Sequence, residues 1–175
     1  MPDSTVLIII AAAVGCGVAA AIGYYVVRRM KGSITLHLPR TAFNPGDTIT
    51  GSFDVLTRKP VKGNRLTVSL IGVQTTTARR DGRAQTQSRE IYRDERVLEE
   101  AREYGAGHTA RHGFELPIPN MKAPEFMNSE VFQMLAAAMT LLGSSDARIT
   151  WRVEARLDAQ GVDLASSTQV TVNMY

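Results

Sequence analysis

Ile149-Thr150-Trp151-Arg152-Val153-Glu154-Ala155-Arg156-Leu157 alternates apolar and polar side chains almost without fault. A period of two is what a half-buried strand requires, because successive side chains leave opposite faces of the backbone. Ile149, Trp151, Val153, Ala155 and Leu157 form the inward row, with Trp151 as its largest anchor. A helix would scatter these five residues around its circumference.

The same grammar extends in both directions. Gln160-Gly161 turns the chain into a last strand carrying Val162, Leu164, Val170 and Val172. Towards the amino terminus, Ile34, Leu36 and Leu38 share one face, and Ile49, Gly51, Phe53 and Val55 share another. Between them, Phe43-Asn44-Pro45-Gly46-Asp47 suits a type II turn: Pro fixes φ near −65° and Gly accepts φ > 0. Gly51 leaves a gap in an inward row, which predicts a bulge or a close contact. Leu66, Val68 and Leu70 define the next row, whose phase shifts at Ile71-Gly72-Val73 as a bulge would make it. Thr75-Thr76-Thr77 has strand propensity but no buried face, so this strand is expected to run past the core to a tip at Asp81-Gly82.

The next stretch, to Tyr104, is rich in charge and fits a solvated helix or a charged edge strand. Seven arginines and seven acids lie between Arg79 and Glu103, so a neutralised surface is expected there. After Gly105-Ala106-Gly107, His112, Phe114 and Leu116 face one way before Pro117-Ile118-Pro119. Seven or so strands with turn signals between them predict an antiparallel β-sandwich. One segment differs. Asn128-Ser129-Glu130 can cap a short helix over about 128–142, stopped by Gly143. Phe132, Leu135, Met139 and Leu142 form its apolar stripe, which either covers an open end of the sandwich or docks a partner.

The order of these signals resembles the arrestin-like fold family, specifically one of its immunoglobulin-like sandwich domains. Phe43-Asn44-Pro45-Gly46-Asp47 followed by Ile49 and Gly51 is similar to the family's aromatic-x-Pro-Gly-acid element. Leu66-Thr67-Val68-Ser69-Leu70-Ile71-Gly72 resembles its next strand, and Gly107-His108 through Phe114-Glu115-Leu116-Pro117 its Gly-to-Phe-x-hydrophobic-Pro segment. Ile149 to Ala155 resembles its aromatic strand past the domain's middle. The resemblance covers about residues 33–172 apart from the helical insert. Family members typically carry two such domains, whereas this sequence has room for one. It holds no Pro-Pro-x-Tyr motif, and no phosphate-sensing polar core maps onto it residue by residue. The resemblance therefore implies a scaffold, and receptor or phosphate recognition is not carried over with it.

Ahead of the domain, about 22 residues from Val6 to Val27 carry no charge, and as a helix they would reach roughly 33 Å. Val6, Leu7, Ile8, Ile9 and Ile10 open this run; Tyr24, Tyr25, Val26 and Val27 close it with interfacial aromatics. Arg28, Arg29 and Lys31 follow, and no Lys or Arg precedes. An uncleaved single-pass anchor is expected, with the amino terminus outside and the domain cytoplasmic by the positive-inside rule. The expected organisation is an anchor with its basic flank over 1–30 and a sandwich over 31–175. Cys16, the only cysteine, falls inside the apolar run, so the sequence offers no intramolecular disulfide.

All 20 Lys and Arg but only 16 of the 17 acids lie from Arg28 onward, leaving the body at about +4. With no basic stripe interleaved with aromatics, nucleic acid is not an expected partner. The basic flank attracts anionic lipid, and a protein partner in or near the membrane is expected. His108 and His112, four apart, would suit a metal on a helix. On a strand they stand roughly 13 Å apart, too far to share an ion. No Gly-x-Ser-x-Gly turn or phosphate-cradling glycine loop is present. The sequence thus predicts no catalytic residues, metal, cofactor or small-molecule substrate. The expected function is a membrane-tethered, non-enzymatic adaptor; the alternative is a structural subunit of an envelope or secretion assembly facing outside the cytoplasm.

Overall fold

The computed structural model describes residues 29–80, 83–120, 133, 137 and 147–173. Nine strands follow in order: β1 (Gly32–His37), β2 (Ala42–Phe43), β3 (Thr48–Thr57), β4 (Val61–Arg80), β5 (Arg83–Glu99), β6 (Arg102–Tyr104), β7 (Thr109–Pro117), β8 (Ala147–Ala159) and β9 (Leu164–Val172). The smaller sheet has the order β1-β3-β7 and the larger β2-β9-β8-β4-β5, with β6 pairing on β4 beyond the end of β5. Between them lies one apolar core. Ile49, Phe53 and Val55 of β3 enter it from one sheet, and Leu66, Val68, Leu70, Val153, Ala155 and Leu157 from the other, all fully buried. The register that aligns Leu66 with Leu157, Val68 with Ala155 and Leu70 with Val153 gives β4 and β8 a continuous inward row.

Local chemistry explains the joints. Asp47 N donates to the Asn44 carbonyl at 3.0 Å while Gly46 takes φ +87°, the expected Pro-Gly turn. Gly51 makes a close contact and not a bulge: a Cβ there would stand 2.7 Å from Phe114 Cζ and 2.9 Å from the His37 carbonyl oxygen. Trp151 is buried against Tyr92, ring centroids 5.4 Å apart, with Gly72 leaving room for the indole. Burial pushes the Tyr92 hydroxyl up to about 12, and the nearby Asp94 charge adds to the effect.

The charge-rich stretch is strand β5, not a helix. Its pairing with β4 slips twice, between Leu66 and Thr67 and between Gly72 and Val73. The residues left over on β5 are Leu98 and Ile91, and both turn apolar side chains against the core. Two slips seven residues apart erase the period of two that would have announced a strand. Beyond the core the β4–β5 hairpin continues through Thr75, Thr76 and Thr77, as their sequence suggests. Ion pairs Arg93–Glu90, Arg96–Asp94 and Arg102–Glu99 neutralise the stretch, again as composition predicts.

The expected fold class is corrected in two respects. The sandwich is not antiparallel throughout, because β2 pairs with β9 in parallel. The chain leaves the small sheet after β1, buries Phe43 beside β9 and turns back at Pro45-Gly46 into β3. Thr171 N donates to the Thr41 carbonyl at 2.7 Å, and Asn173 N to the Phe43 carbonyl at 2.9 Å. Two residues are too few to show any periodicity in sequence. The second correction concerns the transmembrane helix: among the described residues, no helix is long and apolar enough to cross a membrane. The stretch read as an anchor (Val6, Leu7, Ile8, Ile9, Ile10, Tyr24, Tyr25, Val26, Val27, with Arg28 behind it) lies outside the described residues. Of the expected insert at 128–142, only Gln133 and Ala137 are described, both helical and exposed; Phe132, Leu135, Met139 and Leu142 lie outside.

On the outward face of the small sheet, Asp54 accepts from Arg111 Nε at 2.7 Å and pairs with His37 Nε2 at 2.9 Å. The Arg111 guanidinium holds the Asp54 carboxyl down at about 2, with His37 contributing. An unfolded Asp titrates near 3.9, so this pairing stabilises the fold fully above about pH 4 and is lost as pH falls towards 2. Asp54→Asn is expected to flatten the fall in urea midpoint between pH 4 and 2 relative to the parent. Gly51→Ala is expected to lower stability by about 1–3 kcal/mol through overpacking against Phe114, measured by denaturant unfolding.

Candidate functional site

Among the described residues, both sheets end in a strand with one unpaired edge on the same side of the sandwich: β7 in the small sheet and β5 in the large. A cleft of about 910 Å³ runs along this side. Its walls are Thr48, Thr50 and Gly51 of β3, Arg96, Val97 and Leu98 of β5, and Gly113, Phe114, Glu115 and Pro117 of β7. Val97 is 46% exposed, one of two large apolar side chains so exposed among the described residues. The slip that tucks Leu98 inward leaves Val97 on the outward row, paired with Thr67. A row of unpaired backbone groups beside an exposed apolar side chain can accept an added strand.

A polar cluster follows the cleft along both strands. Tyr104 of β6, itself buried, donates its hydroxyl to Glu99 Oε2 at 2.6 Å, and Arg102 Nη1 donates to Glu99 Oε1 at 3.0 Å. From the small sheet, His112 brings Nε2 to 3.8 Å from Glu99 Oε1, beyond hydrogen-bond reach. Its ring lies 5.5 Å from that of Phe53. Burial pushes the Tyr104 hydroxyl well above the usual range, and its bond to the Glu99 carboxylate pushes the same way. Tyr104 therefore donates at any physiological pH.

The two histidines separate differently from the sequence expectation. His112 shares the inward row with Phe114 and Leu116, as predicted. His108 instead precedes β7, in a turn where Gly107 takes φ +76°, and packs its ring at a tilt of 59° against Tyr104 with centroids 5.4 Å apart. The described residues contain no group of three His, Cys, Asp or Glu side chains arranged to hold a metal. Of the basic flank, Arg29 and Lys31 are described: they belong to a helical turn at 29–31, and Lys31 Nζ donates to the Gln160 carbonyl at 2.5 Å. The polar cluster was not legible in sequence, since Glu99, Tyr104 and His112 lie on three separate strands.

No protein-family model matches this chain, and no curated protein matches it. Among solved structures, it is similar to the crystal structure of Spo0M, a sporulation control protein from Bacillus subtilis. The TM-score is 0.54 at 13% identity, with 83% of this chain and 50% of that chain covered. Spo0M has an arrestin-like fold. The likeness is one of fold alone. This chain spans half the length of that structure.

Because Tyr104 supplies a neutral donor to a largely buried carboxylate, Tyr104→Phe is expected to cost about 1.5–3 kcal/mol. Chemical denaturation at pH 7 measures it, and Arg89→Gln, at an exposed side chain, serves as a surface comparison.

Proposed function

We propose that this chain is an arrestin-like adaptor that binds another protein along the cleft between β5 and β7 and has no enzymatic activity of its own. The observation that carries the reading is the pair of strand edges, unpaired among the described residues, that flank one cleft lined in part by the exposed Val97. An extended segment of the partner would pair with one of these edges through main-chain hydrogen bonds. Val97 and Leu98 would receive its apolar side chains, and Arg96 and Glu115 would set polar register at the rim. The similarity to an arrestin-like fold supports a regulatory or adaptor role in the same sense.

The place of action is proposed from sequence. The uncharged run at 6–27 and the basic residues after it support work beside a membrane, on its cytoplasmic face, with the partner in or near the bilayer. Val97→Arg puts a charge into the cleft from a side chain that is already exposed. It is expected to abolish co-purification of the partner from membranes while shifting Tm by no more than about 2 °C. Retention of the partner by the variant would overturn the reading.

A further inference from the structure

A second cleft lies away from the first, where β1 begins. It has a volume of about 360 Å³, and its lining includes Arg29, Ser33, Ile34, Arg58 and Leu164. We propose that it binds a phosphate group between the guanidinium groups of Arg29 and Arg58.

The charge distribution is the first ground. Arg40, Arg65, Arg93, Arg96, Arg102, Arg111, Arg152 and Arg156 each make an ion pair with a carboxylate. Arg29, Arg58, Arg89 and Arg148 make none among the described residues, and of these four Arg29 and Arg58 line the same cleft. Among the described residues, no carboxylate lines it with them. The acid nearest to the lining along the chain, Asp163, is engaged elsewhere: it accepts from Arg156 and from Ala159 N. Two cations facing one cavity without a counter-charge repel each other, and an anion between them removes that repulsion.

Preorganisation is the second ground. Arg58 N donates to the Lys31 carbonyl at 2.8 Å, and Arg58 Nη1 donates to the Arg29 carbonyl at 2.5 Å. One N–H of the guanidinium is thus spent in holding it against the helical turn, and the rest of its five-donor fork remains for a ligand. Lys31 is turned away to the Gln160 carbonyl, so the cationic groups at the cleft are guanidiniums. That fork matches phosphate oxygens two at a time, which an ammonium does not. Ser33, Ile34 and Leu164 complete the lining with a mixture of polar and apolar residues. A phosphate diester or monoester fits this mixture better than a bare carboxylate, having oxygens enough for both arginines.

Two sources present that chemistry, a lipid headgroup and a free phosphate. The site is independent of protein docking at the β5–β7 cleft. Titration calorimetry on the full chain in a non-ionic detergent, with inorganic phosphate and with water-soluble dibutanoyl phosphatidic acid, tests it. Saturable one-to-one binding is expected. Affinity at least tenfold higher for the phosphatidic acid identifies the headgroup as the source, and equal affinities identify the phosphate group alone. Arg58→Gln is expected to weaken binding at least tenfold, and Arg58→Lys to fall between, because it keeps the charge but loses the fork. Arg29→Gln, at an exposed side chain, gives the same reading if Arg58→Gln does not fold, and Arg89→Gln, at an exposed arginine outside both clefts, is expected to bind as the parent does. Absence of saturable binding to both probes, or parental affinity in the Arg29→Gln and Arg58→Lys variants, overturns the proposal.

Discussion

The inward row shared by β4 and β8 must be covered, and β3 covers it. Leu66, Val68, Leu70, Val153 and Leu157 are fully buried against Ile49, Phe53 and Val55. Each such side chain contributes about 1.5–3 kcal/mol on leaving water. An exposed ion pair of the kind seen on β5 contributes about 0–1 kcal/mol. The core therefore decides the fold, and the many arginine–carboxylate pairs only finish the surface. Those pairs also place mixed charge along a strand edge that would otherwise invite indiscriminate pairing.

Covering that row with a three-stranded sheet has a geometric consequence. The small sheet has three strands and the large one more, and a cleft lies between the β7 and β5 edges. The two slips in β5 keep Ile91 and Leu98 in the core while Val97 faces out. At the end of that cleft, Glu99 is held by Tyr104 and Arg102, which satisfies a carboxylate that partial burial would otherwise penalise. The opposite cleft has a different origin: it forms where Arg58, after β3, folds back onto the turn that precedes β1.

Much of the sandwich was legible wherever a single strand keeps its own period. Trp151 as a core anchor, the Asn44-to-Asp47 turn, the close contact at Gly51 and the long overhang of β4 all follow from local rules. Strand β5 was ambiguous because its inward residues Ile91 and Leu98 are bulged, so no alternation survives. The parallel β2–β9 pair was invisible because two residues carry no pattern. His108 reads as a strand residue in sequence, yet it follows the positive-φ Gly107 in the turn ahead of β7. The clefts were not legible at all, since each is assembled from residues far apart in the chain.

What the sequence by itself determined is the all-β character and the identity of the inward rows. A period of two is a property of one strand and needs no partner to be read. It also determined the distribution of charge and the uncharged run at 6–27. Only the tertiary structure decided which edges stay unpaired, where β2 crosses to the other sheet, and that Arg29 meets Arg58 across a cavity. Those are relations between segments tens of residues apart, set by how two sheets of unequal width close on one core.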